Sequence, residues 1–129
     1  MNRPLAPHAI APPAANYAHG VHVTGATQWV HTSGVVPIAP DGNVPAAIGE
    51  QAEVVWANIA AILAEGGLDG GDVVSVTTYV VVDELSSLGA VMAARDRALQ
   101  GRRVASTLVT VPALADARWK MEIAVVAAR

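Results

Sequence analysis

The chain has 129 residues, 53% of them hydrophobic and only 15% charged, with no cysteine and a formal net charge of −3. That length suits one domain around a single core, and the missing cysteines rule out disulfides, thiolate nucleophiles and cysteine-held metals. Eight basic residues against eleven acidic ones, with no basic stripe, argue against a nucleic-acid partner.

Residues 1–16 carry Pro4, Pro7, Pro12 and Pro13 among alanines and read as an irregular arm without helix or strand periodicity. The same prolines interrupt the apolar run that a secretion signal requires. No stretch approaches the ~18–20 continuous apolar residues of a membrane span, so a cytoplasmic chain without a membrane partner is expected. Residues 20–25 and 28–34 read as two short strands meeting at a Gly-Ala-Thr turn, and Pro40-Asp41-Gly42-Asn43 is a further turn.

The period then changes. Ile48, Ala52, Val55, Ile59, Ile62 and Leu63 recur at three- and four-residue steps, which predicts an amphipathic helix over 48–65. Gly66-Gly67 supplies its C-terminal stop. Residues 73–82 are apolar on both faces and read as a central strand. A second helix is predicted over 84–100, with Leu85, Leu88, Val91, Met92 and Leu99 inward and Gly101 ending it. The β-branched run 104–111 closes at Pro112 and reads as a strand, with a last strand over 118–127. The order is β-β-α-β-α-β-β, an α+β domain spanning 1–129 with a mixed sheet and two helices on one face. So much apolar side chain on a short chain also predicts that another subunit covers part of it.

Few residues carry an obvious chemistry. His22 and His31 fall in adjacent strand candidates, yet no third or fourth metal ligand stands at a recognisable spacing, and no metal site is expected. Gly66-Gly67 and Gly70-Gly71 follow a helix end, the wrong place to cradle a phosphate. Ser33-Gly34 lacks the Gly-x-Ser-x-Gly frame of a nucleophile elbow. Glu122 is the exception, a carboxylate in the middle of an apolar strand. It shares a face with Lys120, Ala124 and Val126, while Trp119, Met121, Ile123 and Val125 share the other. Either its face is wet or a neighbouring cation pairs it, or it serves as a general acid or base. In the preceding strand Arg103, Ala105, Thr107, Val109 and Val111 share one face, and Val104, Ser106, Leu108 and Thr110 the other.

Several stretches together resemble the RidA (YjgF-type) family. These are Pro12-Pro13-Ala14-Ala15 with Tyr17-Ala18-His19-Gly20-Val21, then Thr32-Ser33-Gly34-Val35-Val36-Pro37 and Gln51-Ala52. Asn58 to Leu63, Asp72-Val73-Val74, Ala105-Ser106-Thr107-Leu108-Val109 and Met121-Glu122-Ile123 continue the likeness in order. The resemblance runs from about residue 11 to the C-terminus. It implies a chorismate-mutase-like subunit, a homotrimer with small-molecule clefts between subunits, and hydrolysis of reactive enamines or imines to ketones and ammonia, with no cofactor. It also implies roles for Glu122 in positioning a water and for Tyr17 in lining the cleft. Ser33, Val35, Ala105, Ser106 and Thr107 are the implied substrate contacts, with Ser33 and the Thr107 N–H as oxyanion partners. The family's strand arginine corresponds to Ala105, the Gln after Ser-Gly to Val35, and the Gln after the tyrosine to His19. That leaves an altered specificity, with Arg103 as a displaced anchor about 6.5–7 Å along the strand, or tautomerisation, or a non-catalytic binding or regulatory trimer.

Overall fold

The computed structural model describes residues 1–129. Eight regular elements follow one another: strands β1 (Asn2–Leu5), β2 (Gly20–Val23) and β3 (Trp29–His31), helix α1 (Ile48–Glu65), strand β4 (Val73–Val81), helix α2 (Leu88–Ala98), and strands β5 (Ala105–Val111) and β6 (Met121–Ala128). Apart from β1 this is the expected order. Four strands form one sheet in the order β3-β6-β4-β5, with β4 and β5 parallel and the other pairs antiparallel. A parallel pair needs a long crossover, and α2 provides it.

Helix α1 begins and ends where the 3.6-residue period and the glycine pair place it. Gly67 adopts φ +76°, the left-handed conformation that a helix stop uses and that glycine adopts without penalty. Ala52, Val55, Ile59 and Leu63 are all but inaccessible and form one core with Val76 and Val80 of β4, Met121, Ile123 and Val125 of β6, and Val91 and Ala94 of α2. Each of the larger side chains among them contributes about 1.5–3 kcal/mol by leaving water. Both helices therefore pack on one face of the four-stranded sheet. The alternate residues, Ser75, Thr77 and Tyr79 of β4 and Glu122, Ala124 and Val126 of β6, are half-buried on the other face.

The structure corrects several local expectations. The arm of residues 1–16 is not wholly irregular: Asn2–Leu5 forms β1, paired antiparallel with β2 from Asn2↔Val23 to Leu5↔Gly20. Four residues including a proline carry no readable period, and the strand exists because β2 offers it a partner. β2 and β3 are not a hairpin, since β2 pairs only with β1 and β3 with β6. Residues 82–87 form a 3₁₀ turn before α2 instead of its first turns. Leu85, on that turn, escapes the helical period and is 54% exposed. Ile62 lies at the margin of the α1 stripe and is exposed as well.

Gln51 was not foreseen as core, yet it is fully buried on the inner face of α1. Its amide nitrogen donates to the carbonyls of Pro45 and Arg118, both at 2.8 Å, and its oxygen accepts from the Lys120 N–H at 2.8 Å. A buried amide is tolerated when its bonds are made, and this one fixes the approach to β6 just before Glu122.

Candidate functional site

Glu122 occupies the third row of the open sheet face, beside Tyr79 in register. Lys120 does not pair with it: the Lys120 ammonium lies 3.1 Å from Glu84 instead. The neighbour that matters is Gly34. After β3 the chain leaves the regular ladder, because the Thr32 hydroxyl replaces a backbone acceptor and takes the Val125 N–H at 3.0 Å. The ladder resumes at Val35, whose N–H donates to the Ile123 carbonyl at 2.7 Å. Between them the Glu122 carboxylate lies so close to Gly34 that a Cβ there would fall 1.8 Å from Oε2. Only this approach, and not the backbone conformation, favours glycine there, since Gly34 has no positive φ. Ser33 is exposed beside it, and Ser33, Gly34, Asn58 and Ile62 are among the residues that border a shallow cavity of about 460 Å³.

A second group of the sequence-derived candidates gathers at the other end of the same face. The Ala18 N–H donates to the Val104 carbonyl at 2.9 Å, and Ala18 forms an isolated parallel bridge with Ala105. Tyr17 is thereby held next to the start of β5. Its hydroxyl accepts from the Ala14 N–H at 3.2 Å, and its ring meets His19 edge-on at 6.0 Å between centroids. Thr107 follows, exposed, two residues along from Ala105.

The two groups are far apart within one chain. Tyr79 is level with both Glu122 on one side and Val109 on the other. With strands ~4.8 Å apart and ~3.3 Å per residue, Glu122 lies roughly 16 Å from Ala105 and roughly 12 Å from Thr107.

Two candidates face away from this surface. Val35 pairs with Ile123 and belongs to the core at 8% exposure, so alternation turns its side chain toward the helices. Ser106 likewise points to α2, where its hydroxyl accepts from Arg95 at 3.2 Å. Arg103 is exposed and lines a cavity with His8 of the arm and His19 just before β2.

Arg95 is the residue that sequence reasoning missed. Its side chain is 5% exposed. It bonds the Ser106 hydroxyl, the Asn16 carbonyl at 3.2 Å and Asp96 at 3.1 Å, while the Asn16 amide also reaches Asp96 at 3.3 Å. This network ties α2, β5 and the residue before Tyr17 into one unit. In the sequence it is hidden in Arg95-Asp96-Arg97, which reads as an exposed charged face.

Histidine and carboxylate side chains come together nowhere in threes. His22 approaches Arg3 and His31 stacks on Trp29, in separate sheets. No helix is long and apolar enough to cross a membrane. In the loop before β6 an ion pair shifts the titration of both its partners. There the Arg118 guanidinium and N–H hold the Asp116 carboxyl down at about 2, and Asp116 in turn raises Arg118.

Comparison with known proteins places this geometry. The family model described as Endoribonuclease L-PSP matches residues 8–129. Among curated relatives, the 2-iminobutanoate/2-iminopropanoate deaminase of Escherichia coli K12 is 38% identical over 76 residues. That match spans 58% of this chain and 54% of the relative, about half its length. Among solved structures, the Rid-family protein YyfB of Yersinia pestis superposes with a TM-score of 0.89 at 26% identity, covering 99% of this chain and 98% of that one. Escherichia coli TdcF with bound serine gives 0.69 at 28% identity, covering 98% and 93%. The Escherichia coli YjgF product gives 0.69 at 30% identity with the same coverage.

Proposed function

We propose, from the premise that the chain belongs to the Endoribonuclease L-PSP (YjgF/Rid) family, that it acts as a homotrimer on a small imine or enamine in clefts between subunits. The observation that carries this reading is the Glu122 carboxylate, seated against Gly34 and pairing with no cation. A carboxylate held on a half-buried face by shape, not by charge, remains free to handle a proton or orient a water. In hydrolysis, Glu122 takes a proton from water as the oxygen bonds to the imine carbon. It returns that proton to nitrogen to give a carbinolamine, then moves the carbinolamine hydroxyl proton to nitrogen as the C=O bond forms and the C–N bond breaks, so that ammonia leaves with a ketone.

The 16 Å estimated between Ala105 and Glu122 supports a composite site. Tyr17, Ala105 and Thr107 of one subunit would meet Ser33, Gly34 and Glu122 of the next, with Ser33 and the Thr107 N–H bonding the developing oxyanion. The half-exposed apolar residues of the same face, Val109 at 38% among them, suit burial in such an assembly. The deaminase name of the Escherichia coli relative supports the same reaction class. Endoribonuclease chemistry is disfavoured by the net charge of −3 and by the lack of a basic track.

Ala105 stands where the family resemblance puts a carboxylate-binding arginine. Without that charge-assisted pair, worth about 1.5–3 kcal/mol, a carboxylate substrate would bind roughly 10- to 100-fold more weakly there. The specificity is therefore altered, and the same observation favours a second reading, a trimer that binds a small molecule without turning it over. Ammonia release from 2-aminoacrylate-type imines decides between them. Turnover that Glu122→Ala abolishes establishes the enzyme. No turnover, with a small molecule retained on the trimer in native mass spectrometry, establishes the binding protein.

A further inference from the structure

Helices α1 and α2 lie together on the sheet face opposite Glu122, and the space between them is not filled. Ala57 and Ala60 of α1 and Ala94 and Ala98 of α2 border a cavity of about 400 Å³, within the ~300–1,000 Å³ of ligand pockets. Alanine at these positions, three and four residues apart on each helix, leaves room that longer side chains would take up. The rest of the wall is mostly aliphatic.

Trp56 stands in the middle of the α1 stripe that lines this cavity, between Glu53 and Ala60, and is 7% exposed. Its indole N–H is buried and meets no acceptor, a state that costs free energy and calls for a partner. No other cavity borders Trp56. The χ2 torsion of tryptophan is broad, so the ring can turn its N–H toward an acceptor seated there. The only charged residues of the lining, Glu53 and Arg97, are exposed and pair with each other across the two helices. The opening is therefore neutral, with no free charge to attract an ion.

We propose that the space between α1 and α2 is a binding site for a small neutral molecule, apolar except for one acceptor oxygen, such as a cyclic ketone. The apolar wall takes the hydrocarbon part, and the Trp56 N–H donates to the oxygen. Burial of the carbon skeleton gives affinity, and the one hydrogen bond gives orientation. A carboxylate or an ammonium would lose its hydration here without gaining a counter-charge, since Glu53 and Arg97 already satisfy each other. The site lies on the helix side of the sheet, away from Glu122, and concerns binding alone, so it does not depend on the imine chemistry.

The test is a titration of the full chain with cyclohexanone, followed by NMR through the assigned indole N–H signals of Trp29, Trp56 and Trp119. The Trp56 signal should move saturably while the other two stay fixed. Ala60→Leu extends a longer side chain into the cavity and should weaken binding about tenfold or more. Ala60 is exposed on α1 and leucine is a good helix former, so this variant folds. Trp56→Phe keeps an aromatic wall without the donor. In ligand-observed NMR it should weaken cyclohexanone binding about 2- to 10-fold, while cyclohexene, which has no acceptor, binds both proteins alike. The proposal is overturned by a Trp56 signal that does not respond, by equal movement of all three signals, or by undiminished cyclohexanone binding in Ala60→Leu. Ammonia release is measured separately, so a failure of the imine reaction leaves this result readable.

Discussion

Replacing Gly34 by alanine tests the link between the open sheet face and the proposed chemistry with one methyl group. The added Cβ would lie 1.8 Å from Glu122 Oε2 and 3.0 Å from its Cδ, where ordinary contact begins near 3.4 Å. The carboxylate must therefore retreat by about 1.5 Å. It can do so, because it is the free end of a flexible side chain on a half-buried face. The backbone at Gly34 does not need a positive φ, and alanine there reduces the freedom of the unfolded chain by about 0.4–1 kcal/mol. Stability should thus change by less than about 1 kcal/mol, a shift of at most a few degrees in Tm.

Catalysis should respond differently. A reacting group misplaced by about 1 Å can lose on the order of 100-fold in rate, so Gly34→Ala should lower kcat for imine hydrolysis roughly that far while the fold persists. The measurement is ammonia release at saturating imine, with circular dichroism melts on the same preparations. Glu122→Gln should fall at least as far. A Gly34→Ala protein with full turnover and an unchanged melt would refute the assignment of Glu122, because the carboxylate cannot keep its position in that variant.

Three further outcomes follow from other contacts. Arg95→Met removes the donor to Ser106 and Asn16 from a buried position, so calorimetry should show a loss of about 2–3 kcal/mol, and Tm roughly 6–12 °C lower. The Asp116 carboxyl titrates near 2 in the folded chain and in the ordinary range once unfolded. Its contribution is present above about pH 4 and fades as pH falls toward 2, and Arg118→Gln should move its side-chain NMR titration only part of the way back up, because the residue-118 N–H still donates to the carboxylate. Ala105→Arg should lower KM for carboxylate-bearing imines by roughly 10- to 100-fold, if that position faces the cleft, and an unchanged KM would place the substrate elsewhere.

Much of the fold is legible because local and tertiary preferences agree. Helix α1 has matching bounds in sequence and structure, since the apolar stripe, the glycine pair and the buried contacts all select the same residues. The faces of β6 are equally readable, with Met121, Ile123 and Val125 inward and Glu122 outward, because alternation needs no knowledge of the partner. What fails to show is whatever a distant segment supplies. β1 is a strand only because β2 lies beside it. The burial of Arg95 depends on Asn16, 79 residues away. The helical period cannot reveal that residues 82–87 tighten into a 3₁₀ turn, and Leu85 is assigned to the wrong side for that reason.

The candidate site divides along the same line. Alternation alone separates Glu122, Ala105 and Thr107 from Ser106, whose hydroxyl is occupied by Arg95 on the helix side. It does not turn Val35 inward, because that depends on how the chain re-joins β6 after Thr32 interrupts the ladder. Nor does a motif disclose distance. Ser-Gly and Glu122 meet in space because β3 and β6 are neighbours, whereas Tyr17 and Ala105 meet two strands away, where the arm crosses the edge of β5. Motifs of one family point to one site, and within one subunit their residues occupy two ends of one face. In the proposed assembly a second copy would bring the Tyr17 end of one chain against the Glu122 end of another, which would resolve the mismatch and cover the half-exposed apolar residues between them.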